Sequence, residues 1–238
     1  TKKKNFSIII SSCDKYSDLW LPLGNLYKKY WGNCNNNIYL LTESLNFKEV
    51  TKLDVNIKTI NVNSKFWSKM LKSALKSKKI KNKNILFVLD DFFLQSKVNN
   101  KIINRYFDQF IKSKMQMLRL VARPGPKKKN KFIYNIGEFT NRDDYVISTQ
   151  AAFWKKSTLI KILNNKENAW QFEINGSKRI RSKKINFFGV YEDIFPYRHH
   201  VIEKGKWFPW SYIKFKNMNI GVSSRRNVMN VFETTFWI

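Results

Sequence analysis

The sharpest chemical signal in the chain is a pair of adjacent carboxylates, Asp90-Asp91. Five apolar residues, Ile85-Leu-Phe-Val-Leu89, deliver them, and Phe92-Phe93-Leu94 follow. A charge carried to the end of a buried strand is costly to leave without a partner, so something cationic should face at least one of the two. A divalent metal arriving with a nucleotide diphosphate suits the pair, because Mg²⁺ is usually held by one or two carboxylates plus phosphate oxygens. A helix N-cap combined with a salt bridge to one of the many lysines would use the same residues. Two other acidic positions stand beside groups that could take part in chemistry: Glu173 in Trp170-Gln-Phe-Glu173, and the pair Glu192-Asp193. The histidines are His199 and His200, with Gly205-Lys206 just beyond them. Cys13 and Cys34 give neither a disulfide framework nor zinc spacing and read as reduced, half-buried thiols.

Elements that could position these groups follow from the apolar pattern. Residues 5–11 form an unbroken apolar run, as expected of a strand buried on both faces. Residues 14–30 carry Leu19, Leu23, Leu26, Tyr27 and Tyr30 at helical spacing, with Pro22 marking a kink or a late start. Short strands are expected at 38–41 and 57–62. A helix capped by Ser64 should bury Phe66, Trp67, Met70, Leu71, Ala74 and Leu75, and residues 84–89 read as the central buried strand. A helix over 98–111 and a strand over 115–120 complete the first half. Alternation of this kind predicts an α/β domain with a mostly parallel sheet, whose ligand crevice lies beyond the carboxyl ends of the strands. Ser11-Ser12-Cys13-Asp14 and Asp90-Asp91 are two of those ends. From Arg123 onward the pattern becomes irregular, with strands expected at 132–136, 145–148 and 185–188 and helices at 150–163 and 167–172. Residues 123–130, Arg-Pro-Gly-Pro-Lys-Lys-Lys-Asn, read as a mobile loop.

At 238 residues with 43% hydrophobic and 16% aromatic content, the chain has ample material for one core. Wholesale disorder and low-complexity architecture are excluded. No apolar run approaches the ~18 residues of a membrane span, and no signal-peptide pattern is present, so the chain reads as soluble. It opens on Thr1 rather than a methionine, as a trimmed start would, and further chain is expected beyond Ile238. The net charge of +28 raises the question of nucleic acid. However, 36 of the basic residues are Lys and only 9 are Arg, and base reading leans on arginine forks. Lys, Asn and Ile together make up 87 residues, the bias an AT-rich coding sequence leaves. The charge is therefore read as a solvated basic surface, with an anionic membrane face as the next partner and nucleic acid as an unlikely one.

These residues resemble a known family. The opening Ile8-Ile-Ile-Ser-Ser-Cys-Asp-Lys-Tyr16 looks like the nucleotide-binding start of GT-A glycosyltransferases, and 85–94 resembles their acidic DxD-type element, here Asp-Asp. Residues 148–159 and 167–177 are similar to bacterial and viral transferases that build capsule, lipopolysaccharide or other surface glycans. The likeness spans roughly residues 5–210.

The resemblance implies one GT-A-like, Rossmann-like domain over 1–238, with a nucleotide-sugar-binding half (1–120) and an acceptor-binding half (121–238). Asp14 and the Ser11/Ser12 backbone would hold base and ribose, and Asp90 would contact the ribose or an amine at the sheet edge. Asp91 would bind Mn²⁺ or Mg²⁺, and Trp170 would stack on an acceptor sugar. Glu173 would be the general base of an inverting transfer to a hydroxyl of a lipid-linked glycan, with Glu192-Asp193 able to replace it. In the competing retaining reading, His200 completes the metal site and Lys206 holds the diphosphate. Trp207-Phe-Pro-Trp210, Phe232, Phe236 and Trp237 would form an interfacial belt, placing the protein in the cytoplasm, peripheral at the inner membrane face.

Overall fold

The computed structural model describes residues 6–129, 134–199 and 201–235. The chain opens with β1 (Phe6–Ser11), buried along its whole length, and one 3₁₀ segment, Asp14–Leu19, leads into α1 (Trp20–Trp31). Pro22 falls in the first turn of α1, where a missing N–H costs nothing. Then come β2 (Ile38–Thr42), α2 (Phe47–Thr51), β3 (Ile57–Asn61), α3 (Trp67–Lys76), β4 (Asn84–Leu89) and α4 (Asn100–Lys112). Side-chain oxygens of Asn46 and Asn99 cap α2 and α4 by accepting from backbone N–H groups of the first turn. The second half contributes β5 (Met117–Arg119), β6 (Lys128–Lys129), β7 (Ile136–Glu138), β8 (Ala152–Lys155), α5 (Lys156–Ile162), α6 (Ala169–Ile180) and β9 (Phe187–Val190). It ends with the hairpin β10 (Ile202–Glu203) and β11 (Lys206–Trp207), then α7 (Pro209–Asn217) and α8 (Val231–Thr235).

The nine-stranded sheet has the order β3-β2-β1-β4-β8-β5-β9-β7-β6. Only β8 and β7 run against the common direction, so the architecture is α/β with a mostly parallel sheet. Strand alternation divides the core into two layers. Ile8, Ile10, Leu86, Val88 and Phe153 pack towards α1 and α4, whereas Ile9, Ile85, Phe87 and Trp154 pack towards α3, α5 and α6. Each fully buried side chain of this kind contributes about 1.5–3 kcal/mol.

Several expected elements differ. Residues 150–163, read as one helix, divide into strand β8 and helix α5. Ala152, Phe153 and Trp154 are all buried, because β8 is inserted between β4 and β5 and is covered on both faces. No one-sided helical stripe can form there, and tertiary burial overrides the local pattern. The expected strand at 145–148 is irregular chain, and part of the expected strand at 132–136 lies outside the described residues.

Beneath the second half sits Arg119, 1% exposed. It donates to the carbonyls of Pro124, Tyr145 and Val146 and lies 4.6 Å from the Phe139 ring centroid. One buried cation thus braces the two loops that follow β5 and precede β8.

Candidate active site

Connections run outward from β1 through β2 to β3, then return to β4 on the other side of β1. At that reversal the helices diverge and a crevice opens beyond the strand ends. The ends are held together by the Asp90 amide, which donates to the Ser11 carbonyl at 3.1 Å, and by the Ser12 amide, which donates to the Leu41 carbonyl at 3.1 Å. The crevice is a cleft of about 390 Å³ lined by Ser11, Ser12, Cys13, Tyr16, Glu43, Trp67, Asp90 and Asp91 among others. The structure therefore brings together Ser11, Ser12, Asp90 and Asp91, four of the residues expected to meet the donor.

Their hydrogen bonds define what each can do. The Trp20 indole donates to Ser12 Oγ at 2.7 Å, and Ser12 Oγ donates to Asp90 Oδ2 at 2.5 Å. Trp67 Nε1 donates to Ser11 Oγ at 2.9 Å, fixing the indole as one wall. Both serines shape the cleft, and the Ser12 amide is already used within the sheet. Burial, followed by repulsion from Asp91, pushes the Asp90 carboxyl well above the usual carboxylate range. A group raised in this way loses stability as it deprotonates. Asp90→Asn keeps an acceptor for Ser12 and removes the charge. We expect it to raise the melting temperature at mildly alkaline pH, and the gain to grow as pH rises above the ordinary carboxylate value. An unchanged or lower melting temperature in calorimetry would contradict this picture of Asp90.

Asp14 sits at the edge of this site as a clamp. Its carboxylate accepts from the Thr42 and Ser44 hydroxyls and from the Ser44 and Leu45 amides, bolting the loop after β1 to the loop after β2. Partial burial opposes ionisation, but these donors together hold the carboxyl down, from an ordinary 3.8 to about 2. The resulting stabilisation is complete above the ordinary value and disappears as pH falls through the folded one. The melting-temperature gap between wild type and Asp14→Asn should be constant above about pH 5 and narrow towards pH 2. A gap that stays constant across that range would remove the clamp.

Two site residues were missed in the sequence. Glu43 lines the cleft and accepts from the Asp14 amide at 2.5 Å. It directly follows β2, so the strand-end reasoning applied to β1 and β4 would have reached it. Arg226 comes from the far end of the chain. It forms a two-pronged pair with Asp18 at 2.7 and 2.8 Å, donates to the Gly205 and Lys15 carbonyls, and stacks 4.0 Å over the Tyr16 ring. It latches the C-terminal segment to the wall of the cleft, a contact over 208 residues of sequence that no local pattern reveals. Cys13 lines the cleft as a neutral thiol, pushed up to about 11 by burial and then by Asp90 and Glu43. That is the opposite of what a nucleophile needs.

A second cleft, of about 790 Å³, is lined by Arg123, Gln150, Tyr191, Glu192, Asp193 and His199 among others. Tyr197 connects the two regions. It stacks on Phe92 at 4.1 Å, immediately after Asp91, and its hydroxyl donates to Gln150 Oε1. Burial raises the Tyr197 hydroxyl well above the ordinary phenol range, and the Asp91 and Asp193 carboxylates both raise it further. The Ala122 amide fixes Asp193 by donating to Oδ1 at 2.8 Å.

The remaining expected site residues fall elsewhere. One carboxylate oxygen of Glu173 accepts from both the amide (2.6 Å) and the hydroxyl (2.8 Å) of Thr149, and Glu173 is not among the residues lining either cleft. Trp170, 65% exposed, is not among the residues lining either cleft, although its neighbours in sequence Asn168 and Ala169 line the smaller one. Lys206 pairs with Glu233 and does not line that cleft. His200 lies outside the described residues. Among the described residues no group of three or more His, Cys, Asp or Glu is placed to hold a metal ion.

No family model matches the sequence, and no curated protein does. Solved structures do share the fold. Staphylococcus aureus TarS 1-349 aligns with a TM-score of 0.55 at 14% identity over 81% of this chain. The chain spans 59% of that structure's length. A 4-diphosphocytidyl-2C-methyl-D-erythritol synthase aligns with a TM-score of 0.51 at 9% identity, covering 92% of this chain and all of the other. The galactosyltransferase LgtC, solved with donor and acceptor sugar analogues, aligns with a TM-score of 0.39 at 9% identity over 72% of this chain and 70% of its own. At such identities the likeness is one of fold. The chain has the GT-A-type, Rossmann-like α/β architecture that the opening strand and the acidic element imply.

Proposed function

We propose that this chain is a glycosyltransferase that moves a sugar from a nucleotide-sugar donor to a hydroxyl of a growing, lipid-linked surface glycan. The observation that carries the reading is the pairing of two clefts across Tyr197. One is headed by Asp90-Asp91 at the reversal point of the sheet, the other by Glu192-Asp193. The donor nucleotide occupies the smaller cleft, against the Trp67 wall and near the Glu43 and Asp90 carboxylates. Asp91 would hold Mn²⁺ or Mg²⁺ together with the diphosphate. Such a cation, when bound, supplies positive charge to the departing diphosphate.

The acceptor lies in the larger cleft, and the exposed Trp170 offers a ring to one of its sugar faces. Asp193, oriented by the Ala122 amide, takes the proton of the acceptor hydroxyl as its oxygen bonds to the anomeric carbon. The bond from that carbon to the diphosphate breaks on the opposite side, which inverts the centre. Asp193 takes this role in place of Glu173 because Asp193 lines the larger cleft and Glu173 lines neither.

One competing reading draws on the synthase that covers nearly the whole chain at a TM-score of 0.51: nucleotidyl transfer, in which attack falls on phosphorus and pyrophosphate leaves. The test is a panel of sugar nucleotides, and of nucleoside triphosphates with sugar phosphates, followed for release of nucleoside diphosphate or pyrophosphate. Diphosphate release from one sugar nucleotide supports glycosyl transfer. Pyrophosphate release from a triphosphate supports the competing reaction and overturns the proposal. A nucleic-acid role fits the clefts poorly, since Glu43, Asp90, Asp91, Glu192 and Asp193 line them and repel phosphate in the absence of a metal.

A further inference from the structure

The aromatic C-terminal region divides into two kinds of side chain. Trp207 and Phe208 are core, at 0% and 6% exposure, with Trp207 against Phe93 and Tyr212. Trp210, Ile213, Val231 and Phe232 point outward, with Trp210 64% and Phe232 82% exposed. Phe236 and Trp237 lie outside the described residues.

On α7 the buried residues Ser211 and Phe215 face inward. Trp210 and Ile213, three apart, share the opposite face with the exposed Lys214. α8 leaves from the same place. The Met229 amide donates to the Trp207 carbonyl at 2.9 Å, the Trp207 amide donates to Asn227, and Lys206 pairs with Glu233. Both helices thus start within two residues of one short ladder, and each exposes a pair of large apolar side chains, Trp210 with Ile213 and Val231 with Phe232.

We infer that the outer face of α7 and the opening turn of α8 dock on an anionic lipid surface. Single exposed apolar residues are ordinary, but large ones gathered on one part of the molecule mark an interaction site. Charge complementarity identifies the occupant. Lys204, Lys214, Lys216 and Arg225 are exposed around these helices, Glu233 in α8 is paired with Lys206, and the whole chain carries +28. A tryptophan and a phenylalanine flanked by lysines is the composition that lies in a headgroup region, apolar side down. No helix among the described residues is long and apolar enough to cross a membrane, so the contact is peripheral. The inference uses no residue of either cleft and does not depend on the proposed reaction.

The test is co-sedimentation of the full chain with phosphatidylcholine vesicles, plain or with roughly a third phosphatidylglycerol. Wild type should sediment with the anionic vesicles and not the neutral ones, and should be released at high salt as the screening length falls from about 10 to 3 Å. Trp210→Ser/Phe232→Ser removes two exposed side chains, so its melting temperature should match wild type while its vesicle partition falls at least about tenfold. Lys214→Gln/Lys216→Gln should weaken binding to anionic vesicles alone. Wild type that ignores anionic vesicles overturns the inference. So does a serine double variant that sediments like wild type, because binding would then come from diffuse charge. Dimerisation in light scattering that the serine variant abolishes, without vesicle binding, would assign the patch to a second copy of the chain and also overturn it.

Discussion

Asp91→Asn should lower turnover by about 10²–10³-fold, the effect of removing one preorganised charge partner, or about 2.7–4 kcal/mol of transition-state stabilisation. The size follows from where charge develops. As the bond from the anomeric carbon to the diphosphate breaks, one further negative charge develops on a leaving group that is already anionic. The strand end proposed to face the leaving group offers carboxylates and few cations: among the described residues Lys65 is the only basic side chain lining the smaller cleft, and Arg226 on its wall is paired with Asp18. On the proposed reading a metal would supply the neutralising charge with Asp91 as its carboxylate, since Asp90 accepts from Ser12 and is biased towards its protonated form. Since the amide is isosteric, the folded structure should persist, and the melting temperature without nucleotide should stay close to that of wild type. Steady-state rates with varied Mn²⁺ check the prediction. A variant that keeps both turnover and its metal requirement would take Asp91 out of the reaction.

The second large effect is expected on the acceptor side. Asp193→Asn should reduce kcat by about 10²–10⁴-fold, the usual range for loss of a general base, with the donor KM little changed. Asn can still accept from the Ala122 amide, so the loop geometry survives. What is lost is a group able to receive the hydroxyl proton. The pH–rate profile should lose its rising limb in the variant, a signature that a purely structural residue would not give. Glu173→Gln is the informative comparison. Its carboxylate holds Thr149, and an amide oxygen can accept those same bonds, so turnover should stay within a few-fold of wild type. If Glu173→Gln abolishes turnover while Asp193→Asn does not, the base is Glu173.

The sheet was legible in the sequence wherever local pattern and tertiary burial agree. β1, β2 and β4 are short runs buried on both faces and bounded by turn residues, and their positions follow directly from the apolar pattern. Asp90 and Asp91 could be found for the same reason, since a strand end fixes where a following side chain lies. β8 could not, because a buried antiparallel strand next to a helix has no periodicity of its own. Side-chain partners were less legible still. Asp14 looks like a ligand carboxylate in sequence, but four donors from the end of β2 and the loop after it occupy it. Lys206 looks like a phosphate contact and pairs with Glu233. Arg226 carried no signal, because its partners Asp18 and Tyr16 are some two hundred residues away. Position along a strand can be read from neighbours in sequence, whereas the partner of a long polar side chain depends on loops that only the complete fold brings together.

The central claim, a nucleotide diphosphate held with a metal at the Asp90-Asp91 strand end, is most directly tested by thermal shift. UDP, GDP, CMP and dTDP, and the corresponding sugars, are each offered with Mn²⁺, Mg²⁺ or EDTA. We predict that one nucleotide raises the melting temperature only with metal, and that Asp91→Asn abolishes the shift. At a hundredfold excess over Kd such binding adds about 2.7 kcal/mol, or several degrees for a chain of this size. No shift from any nucleotide, alongside salt-sensitive binding to generic DNA, would contradict the claim.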